Sequence, residues 1–440
     1  MEHYFAREAL LPSGWAKDVL LSVDQGEIVA VEAGAAGANP LAGPVLPGMA
    51  NLHSHAFQRA MAGLTEARGP AGDDFWSWRE LMYRFAERLT PDQAQVIAHH
   101  LYIELLRQGY TAVAEFHYVH RPDGLLQAHL DAAHEAGIAI TLLPSVYRWG
   151  GFGQRPLEER QRRFERDTAS VLQACDALKI RMTPEVRIGV APHSLRAVDP
   201  NALSDLVKGI DKETPIHIHA SEQTREVDEC VAALGARPVR WLLDNLPIDA
   251  RWCVVHATHL ARDEIEDLAK SGAVAGLCPG TEANLGDGIF PLLAYRGAGG
   301  RYGIGGDSHV SRSPAEELRL LEYFQRLSVR KRNLVVTEKS KSAGTTLWLE
   351  AATGGAQALG RRMGALAPGM RADFVVLDGE HPDLAGRSGE AIADALVFAG
   401  SGDLVRDVMV GGRWVVQQRH HAAEEAAASR YKDALRVLLS

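Results

Sequence analysis

The chain has 440 residues, of which 46% are hydrophobic, and its formal net charge is -9. This length and apolar content are sufficient for a large folded core of one to three domains. Charges of both signs are interspersed and no long basic tract occurs, which argues against nucleic acid or a membrane surface as the partner and favours a small molecule.

The sequence also lacks the segments that direct a chain into or across a membrane. No uncharged apolar run approaches the roughly 20 residues that span a bilayer, and the first residues have no basic segment followed by an apolar one. We therefore expect a cytoplasmic protein. Its cysteines are scattered without CxxC spacing, which predicts buried reduced thiols and leaves histidine and carboxylate as the ligands of any metal ion. The cysteines are Cys175, Cys230, Cys253 and Cys278.

The two ends of the chain have strand-like patterns. Residues 17–33, "KDVLLSVDQGEIVAVEA", alternate into two short strands around Gln25 and Gly26. Residues 371–416 contain "RADFVVLD" and "VRDVMVGGRWVVQ", in which Gly-Gly is typical of a turn. We expect residues 1–45 and 365–420 to pair as a small, β-sandwich-like domain.

Between these ends, short apolar runs alternate with longer helical patterns, as repeated βα units require. One helix is predicted over "TPDQAQVIAHHLYIELLRQG", with Thr90 as its N-cap and Gly109 as its C-cap. Eight such units predict a (β/α)8 TIM barrel over residues 46–364, and residues 421–440 predict a surface helix. The predicted barrel strands are Leu46–His53, Ala112–His117, Ile138–Val146, Val186–His193, Pro215–Ala220, Trp252–His256, Ala273–Cys278 and Tyr302–Asp307.

Titratable side chains follow or end nearly every predicted barrel strand. In "PGMANLHSHAFQRAM" the two histidines are two residues apart, so on a strand they point to the same side, as two ligands of one ion do. A lone pair of this kind is also typical of a loop, but eight barrel strands converge on one rim and bring such residues together. The residues concerned are His53, His55, Glu115, His117, Tyr118, His193, His217, His219, His256, His259, Asp307 and His309.

Nitrogen and oxygen ligands without a thiolate favour a catalytic zinc or a similar divalent ion with one position left for water. Such an ion lowers the pKa of its water to near 7. Asp307 follows two glycines and is the best carboxylate ligand, one that can also accept a proton. Glu222, three residues after His219, suits a proton shuttle. For His117, His217, His259 and His309 a capping or supporting role remains open.

The motifs resemble those of the amidohydrolase superfamily, in its branch of one-metal deaminases, over nearly the whole chain. They are "PGMANLHSH", "HIHASE", "VVHATHL", "CPGTEANLGDGIFPL" and "GGDSH". Within that branch, "NLHSHAFQRAMAGL", "DDFWSWRELMY", "EFHYVH" and "APHSLRAV" resemble the formimidoylglutamate deiminases of histidine degradation.

The resemblance implies one zinc ion per chain and a set of functional residues. The implied metal ligands are His53, His55, His219 and Asp307. The implied acid–base groups are Glu222 and His256, together with Asp307. The implied substrate-binding residues are Gln58, Arg79, Tyr118, His193 and Arg196. The segment "VAPHSLRAV" has no lysine to bridge a second metal ion, and Asn51 stands where many two-metal relatives have aspartate.

The implied substrate is small and acidic, N-formimino-L-glutamate, and the implied products are N-formyl-L-glutamate and ammonia. Guanidinium groups bind carboxylates through paired hydrogen bonds, which suits Arg79 and Arg196. Each arginine has an ordinary alternative as a surface ion pair, and Arg79 could belong to an amphipathic helix whose Trp76 and Trp78 are core or lid residues.

Two other functions stay open at this point. One is a deaminase or chlorohydrolase of heteroaromatic rings, which requires aromatic stacking and few cations in the pocket. The other is a non-catalytic scaffold with the same fold. Whatever the function, a homodimer is expected, because dimers are common for this architecture.

Overall fold

The computed structural model describes residues 1–37, 39–66, 75–338, 340–400 and 402–440. Its strands are β1 (Glu2–Leu11), β2 (Gly14–Asp24), β3 (Glu27–Ala33), β4 (Val45–Pro47), β5 (Met49–Ser54), β6 (Tyr110–His117), β7 (Ala139–Val146), β8 (Val186–Ile188), β9 (Ala191–Pro192), β10 (Ile216–Ala220), β11 (Trp252–His256), β12 (Val274–Leu277), β13 (Arg301–Ile304), β14 (Phe374–Leu377), β15 (Val405–Val410) and β16 (Arg413–Val416).

The α-helices lie mainly between the parallel strands. They are α1 (Phe75–Arg88), α2 (Pro91–Arg107), α3 (Leu125–Ala136), α4 (Thr168–Leu178), α5 (Pro200–Gly209), α6 (Thr224–Leu234), α7 (Pro238–Asn245), α8 (Arg262–Ser271), α9 (Pro279–Leu285), α10 (Leu292–Gly297), α11 (Pro314–Val329), α12 (Ala343–Ala358), α13 (Glu390–Phe398) and α14 (Glu424–Leu439).

Strands β5 to β13 form a parallel (β/α)8 barrel, as predicted. One arc runs β5-β6-β7-β8 and the other β10-β11-β12-β13. Backbone hydrogen bonds close the two seams, from Asp307 N to His53 O at 2.9 Å and from His217 N to Val190 O at 3.0 Å. Because the strands are parallel, their carboxyl ends meet at one rim.

Only the predicted barrel strand Trp252–His256 has the observed bounds. Most of the others differ by one to three residues at an end, and two differ in more than that. The predicted strand Leu46–His53 is wrong at its start, because Leu46 lies in β4, which pairs with β1 and β14 outside the barrel. The barrel strand β5 begins only at Met49. The predicted strand Val186–His193 is divided into β8 and β9, both of which pair with β7, and between them Val190 forms a bridge to Ile216 of β10.

The two chain ends meet in one seven-stranded sheet with the order β16-β15-β14-β4-β1-β2-β3. The sheet curls until the β2–β3 turn touches the segment before β14, where Ala372 N donates to Gly26 O at 2.8 Å. Inside the curl, the ring of Trp414 meets the rings of Tyr4 and Phe374 edge-on, each at 5.6 Å between centroids. This packing supports a separate small hydrophobic core beside the barrel.

Helix α2 shows how the local sequence determines an element. Thr90 and Gln93 form a reciprocal capping box, in which each side chain bonds the other's backbone N–H. The helix ends at Arg107 with Gln108 as its cap. The predicted C-cap Gly109 is therefore one residue too late; with φ at 102° it is the left-handed residue that follows the cap. The predicted terminal helix is α14, whose Tyr431 stacks on His100 of α2 at 4.5 Å.

All four cysteines are buried and free, in agreement with the sequence prediction. Burial raises the pKa of the Cys253 thiol well above its usual range. None of the helices in the described residues combines the length and apolar character that crossing a bilayer requires.

Candidate active site

Four side chains from three barrel strands converge at the carboxyl-end rim. Nε2 of His219 lies 3.1 Å from Nε2 of His53 and 3.4 Å from Nε2 of His55. One carboxylate oxygen of Asp307, Oδ1, is 3.5 Å from the Nε2 atoms of both His53 and His55. All four residues are at most 6% exposed. These are the four predicted metal ligands.

The donor atoms of this cluster fit a divalent cation. His55 Nδ1 donates to Phe116 O at 2.7 Å, and His219 Nδ1 donates to His193 O at 2.9 Å. Burial also lowers the pKa of both imidazoles, so their Nε2 atoms are unprotonated and face each other with lone pairs. Such an arrangement is repulsive unless a cation lies between the nitrogens. Zinc–nitrogen bonds of about 2.0–2.1 Å separate tetrahedral ligands by roughly 3.3 Å, close to the observed spacing.

The predicted acid–base groups lie beside this cluster. His256 Nε2 is 3.5 Å from Glu222 Oε1 and 3.8 Å from Asp307 Oδ2. Its other nitrogen, Nδ1, is 3.3 Å from Glu282 Oε1. Burial alone lowers the pKa of His256, but Glu222, Glu282 and Asp307 outweigh it and raise this pKa to about 10. Burial raises the pKa of Glu222, against the opposing charges of His256 and Arg196.

Glu222 occupies the position that the sequence predicts, between the end of β10 and the start of α6. Its backbone N–H donates to Glu226 Oε2 at 3.0 Å, and the preceding Ser221 has a left-handed φ of 56°. This sharp turn brings the carboxylate back towards the barrel axis. The group can therefore exchange protons with a molecule bound above the histidine cluster.

A pocket opens above the cluster. All five predicted substrate-binding residues line it. Gln58 Nε2 donates to the hydroxyl of Tyr118 at 2.8 Å. Arg79 Nη2 donates to the Tyr147 hydroxyl at 3.1 Å, and its guanidinium lies 5.2 Å from the centre of the Tyr83 ring. Arg79 thus faces the pocket from helix α1, which differs from the surface ion pair considered above.

Arg196 enters the pocket from the turn that follows β9. Its side chain is 10% exposed, and Nη2 is 3.8 Å from Glu222 Oε2. Its Nε and Nη1 atoms are buried and have no hydrogen-bond partner within the described residues. The neighbouring His193 bonds Ser194 Oγ through Nδ1 at 3.1 Å and packs edge-on against Tyr147. The pocket therefore holds a buried cation with unused donors.

The other rim histidines bind protein groups and do not join the cluster. His217 Nε2 bonds Ala358 O at 2.8 Å, and His259 Nε2 bonds Asp287 O at 2.9 Å. His117 bonds the backbone of a nearby residue, and His309 bonds Ser54 Oγ at 2.8 Å. The supporting role left open for these histidines agrees with their contacts.

Sequence reasoning missed several residues of the site. Glu282 lies in the motif "CPGTEANL" and accepts a hydrogen bond from Cys278 N at 2.8 Å, but the motif was not connected with His256. A carboxylate in the first turn of the helix that follows the seventh strand is a signal that could have identified it. Trp78, which the sequence suggested as a core or lid residue, also lines the pocket, whereas the side chain of Trp76 falls outside the described residues. The other pocket residues that the sequence did not single out are Met82 and Tyr83 on α1, Tyr147 after β7, Phe164, and Leu285 at the end of α9.

Comparison with known proteins agrees with this geometry. The model of the amidohydrolase family matches residues 45–415. The chain belongs to the amidohydrolase family. A second model, the N-terminal domain of formimidoylglutamate deiminase HutF, matches residues 1–40. The family match covers the barrel together with β4, β14, β15 and most of β16 of the terminal sheet, and the second match covers β1 to β3.

Similar proteins extend the comparison over the full chain. Formimidoylglutamate deiminase of Pseudomonas aeruginosa is 50% identical, with 100% of both chains covered. A 5-methylthioadenosine/S-adenosylhomocysteine deaminase of Natronomonas pharaonis is 30% identical over 93% of this chain and 91% of its own. The crystal structure of an amidohydrolase from Brucella melitensis has a TM-score of 0.94 and 43% identity, with both chains fully covered. Zinc-complexed atrazine chlorohydrolase from Arthrobacter aurescens, 23% identical with 99% of this chain and 100% of its own covered, shares the fold at a TM-score of 0.87.

Proposed function

We propose that this protein hydrolyses N-formimino-L-glutamate to N-formyl-L-glutamate and ammonia. The observation that carries the proposal is Arg196, whose two buried guanidinium nitrogens have no hydrogen-bond partner within the described residues, beside a cluster suited to a metal ion. Such an arrangement favours a substrate that brings a carboxylate to the reacting centre. The full-length similarity to formimidoylglutamate deiminase supports the same substrate.

The pocket provides recognition for both ends of a glutamate-derived molecule. Arg79 and Arg196 enter it from different elements, so each can bind one carboxylate. Gln58 Oε1 is buried and has no hydrogen-bond partner in the described part of the chain, and so it can accept an N–H of the substrate. A neutral heteroaromatic ring leaves Arg196 without a partner, at a cost of about 1–3 kcal/mol for each unsatisfied group. The charge of the pocket therefore favours the acidic linear substrate.

One zinc ion per chain is part of the proposal, held by His53, His55, His219 and Asp307. A zinc ion bound there supplies a water molecule with a pKa near 7. The residues around it orient that water and move its protons. Nδ1 of His256 faces Glu282, so its Nε2 faces Glu222 and Asp307. In this position His256 orients the water, and the Asp307 carboxylate accepts a hydrogen bond from the water.

The proton transfers balance with Glu222 as the shuttle. When the water oxygen bonds the formimino carbon, Glu222 accepts a proton and passes it to the terminal nitrogen. When the bond between that carbon and nitrogen breaks, the second hydrogen of the water reaches the same nitrogen. The nitrogen leaves as ammonia, and the carbon keeps the oxygen as a formyl group.

The test is ammonia release from a panel containing formiminoglutamate, guanine, cytosine, adenosine and a chlorotriazine, with chloride release as an additional readout for the triazine. We expect turnover of formiminoglutamate and none of the ring compounds. Turnover of a ring compound without turnover of formiminoglutamate would replace the proposal with the heteroaromatic alternative. Purified protein that binds no metal and turns over nothing would favour the non-catalytic scaffold.

We also propose a place in histidine degradation, a cytoplasmic location and a homodimer. The first follows from the proposed substrate, and the other two are expectations from the sequence and the architecture. Light scattering coupled to size-exclusion chromatography tests the dimer, and fractionation of the producing cells tests the location.

A further inference from the structure

Ser54 lies between the two ligand histidines of β5 and points away from them into a buried hydrogen-bond chain. Its hydroxyl is 2.6 Å from Glu115 Oε2. His309 Nε2 is 2.8 Å from the same hydroxyl oxygen. All three residues are at most 1% exposed, and none of them lines the pocket described above. We call Glu115, Ser54 and His309 the clamp.

The directions of these hydrogen bonds follow from the groups available. Glu115 Oε1 accepts from Ala56 N at 2.9 Å, and Oε2 also accepts from the Tyr102 hydroxyl at 3.0 Å. Ser54 has one hydroxyl hydrogen, which it gives to this carboxylate. Its oxygen must then accept from His309, whose hydrogen is on Nε2. With Glu115 ionised, the chain of hydrogen bonds runs from His309 through Ser54 to the carboxylate.

The clamp joins two segments that carry metal ligands. Ser54 and Ala56 flank His55, while His309 is two residues beyond Asp307. The backbones of the same segments are bonded, from Asp307 N to His53 O at 2.9 Å and from His55 N to Asp307 O at 3.0 Å. Backbone hydrogen bonds and the side chains of the clamp therefore both hold Asp307 next to His53 and His55.

The segment that ends β13 needs such support because its backbone is strained. Asp307 and His309 both have left-handed backbone, with φ of 50° and 58°. A left-handed backbone conformation at a residue other than glycine costs of the order of 1–3 kcal/mol, and it persists only where the surrounding structure stabilises it. Gly305 has no such φ, but a Cβ there would lie 2.8 Å from His53 N and Cβ, which shows how closely the two segments approach.

We propose that the clamp is a positioning device for the metal site. It holds the strained Asp307 segment against β5, so that the ligand atoms of His53, His55 and Asp307 keep their spacing before an ion binds. The inference rests on the metal ligands of the proposed function and is independent of the substrate. Ser54 and Glu115 act through the ligands, and neither touches the reacting atoms.

The test measures zinc affinity of metal-free protein by competition with a chromophoric chelator. Ser54→Ala removes one oxygen, and Glu115→Gln keeps the size but cannot accept all three donors. We expect each variant to bind zinc about 10- to 100-fold more weakly, the usual range for groups that orient metal ligands. Because Ser54→Ala removes the Ser54–Glu115 hydrogen bond and Glu115→Gln weakens the same contact by replacing the charged acceptor, the double variant should lose little more than either single variant.

Glu322→Gln is the matched control. Glu322 is also fully buried and accepts hydrogen bonds from Arg326 Nε and Leu334 N, each at 2.9 Å, on helix α11. This variant should unfold at lower temperature and keep its zinc affinity, which separates a general structural effect from positioning. Circular dichroism establishes that all variants are folded.

Two results would contradict the proposal that the clamp positions the metal ligands. One is a zinc affinity within twofold of the wild type in folded Ser54→Ala and Glu115→Gln proteins. The other is an equal loss of zinc affinity in Glu322→Gln. A wild-type protein that binds zinc tightly, loses affinity in the two clamp variants and does not hydrolyse formiminoglutamate would remove the proposed substrate and support the clamp.

Discussion

Replacing Arg196 by methionine separates substrate recognition from metal chemistry. Methionine keeps the apolar stem but removes the guanidinium. In the wild type, the Nε and Nη1 atoms of Arg196 are buried and have no partner within the described residues. A substrate carboxylate that binds these atoms therefore makes charge-assisted hydrogen bonds in a desolvated site. Such a contact contributes about 1.5–3 kcal/mol, and about 1.4 kcal/mol changes an equilibrium constant tenfold.

Arg196→Met should therefore lower kcat/KM for formiminoglutamate by roughly ten- to a hundredfold or more, with unchanged zinc content. Arg196→Lys should restore only part of the loss, because a point charge cannot make two parallel hydrogen bonds. The free Arg196→Met protein should be no less stable than the wild type, because it no longer buries unpaired donors. Steady-state kinetics, elemental analysis and thermal unfolding measure these three quantities.

The control for this prediction must allow for Glu222, since Arg196 Nη2 is 3.8 Å from its carboxylate. A formimino compound without carboxylates measures that indirect effect on proton transfer. Arg296→Met removes an arginine that pairs with Glu350 at 2.6 Å outside the pocket, and it should retain kcat/KM. An equal loss on substrates with and without carboxylates would refute the carboxylate contact and remove the main physical support for the proposed substrate.

The remaining predictions concern the metal, the proton shuttle and the barrel core. Elemental analysis should find one divalent ion per chain and almost none in a His53→Ala/His55→Ala variant; two ions, or full retention in the variant, would show that the ligand set is wrong. Glu222→Gln should keep the ion and lose about 10²- to 10⁴-fold in kcat, so near-normal turnover or loss of the ion would contradict the shuttle. Gly354→Ala would place its Cβ 1.9 Å from Tyr302 O, and we expect urea unfolding to show a loss of about 1–3 kcal/mol from overpacking. Gly297→Ala, with nothing within 4 Å of its Cβ, is the control, and an equal loss in both variants would contradict this explanation.

The repeated alternation of apolar runs and helical patterns was enough to predict the barrel. Parallel strands buried on both faces need continuous apolar runs, and each of the eight runs corresponds to a strand of the structure. The first and last residues of the strands were less predictable. Leu46 and Met49 belong to one apolar stretch, yet they lie in different sheets, because β4 finds its partners β1 and β14 far away in the sequence.

Strand-end position and side-chain chemistry selected a set of titratable residues at the rim, because barrel topology brings strand ends together. The resemblance to the amidohydrolases reduced this set to the four candidate ligands. What strand position by itself could not show is which of the many rim histidines reach the metal-ligand cluster. His219 and His217 are two residues apart on the same strand, and only the first meets His53 and His55, whereas the second bonds Ala358 O. That difference arises from packing around the barrel, which one strand's pattern does not contain.

Local sequence determined the elements and the types of side chain at their ends, because turn residues, caps and apolar periods act over a few neighbours. Tertiary structure alone decided the contacts between distant segments. Glu282 reaches His256, Arg196 keeps its donors unpaired within the described residues, and Glu115 bonds Ser54 across 61 positions of sequence. Each of these contacts depends on how several strands pack at once, since an angstrom of displacement makes or breaks a hydrogen bond.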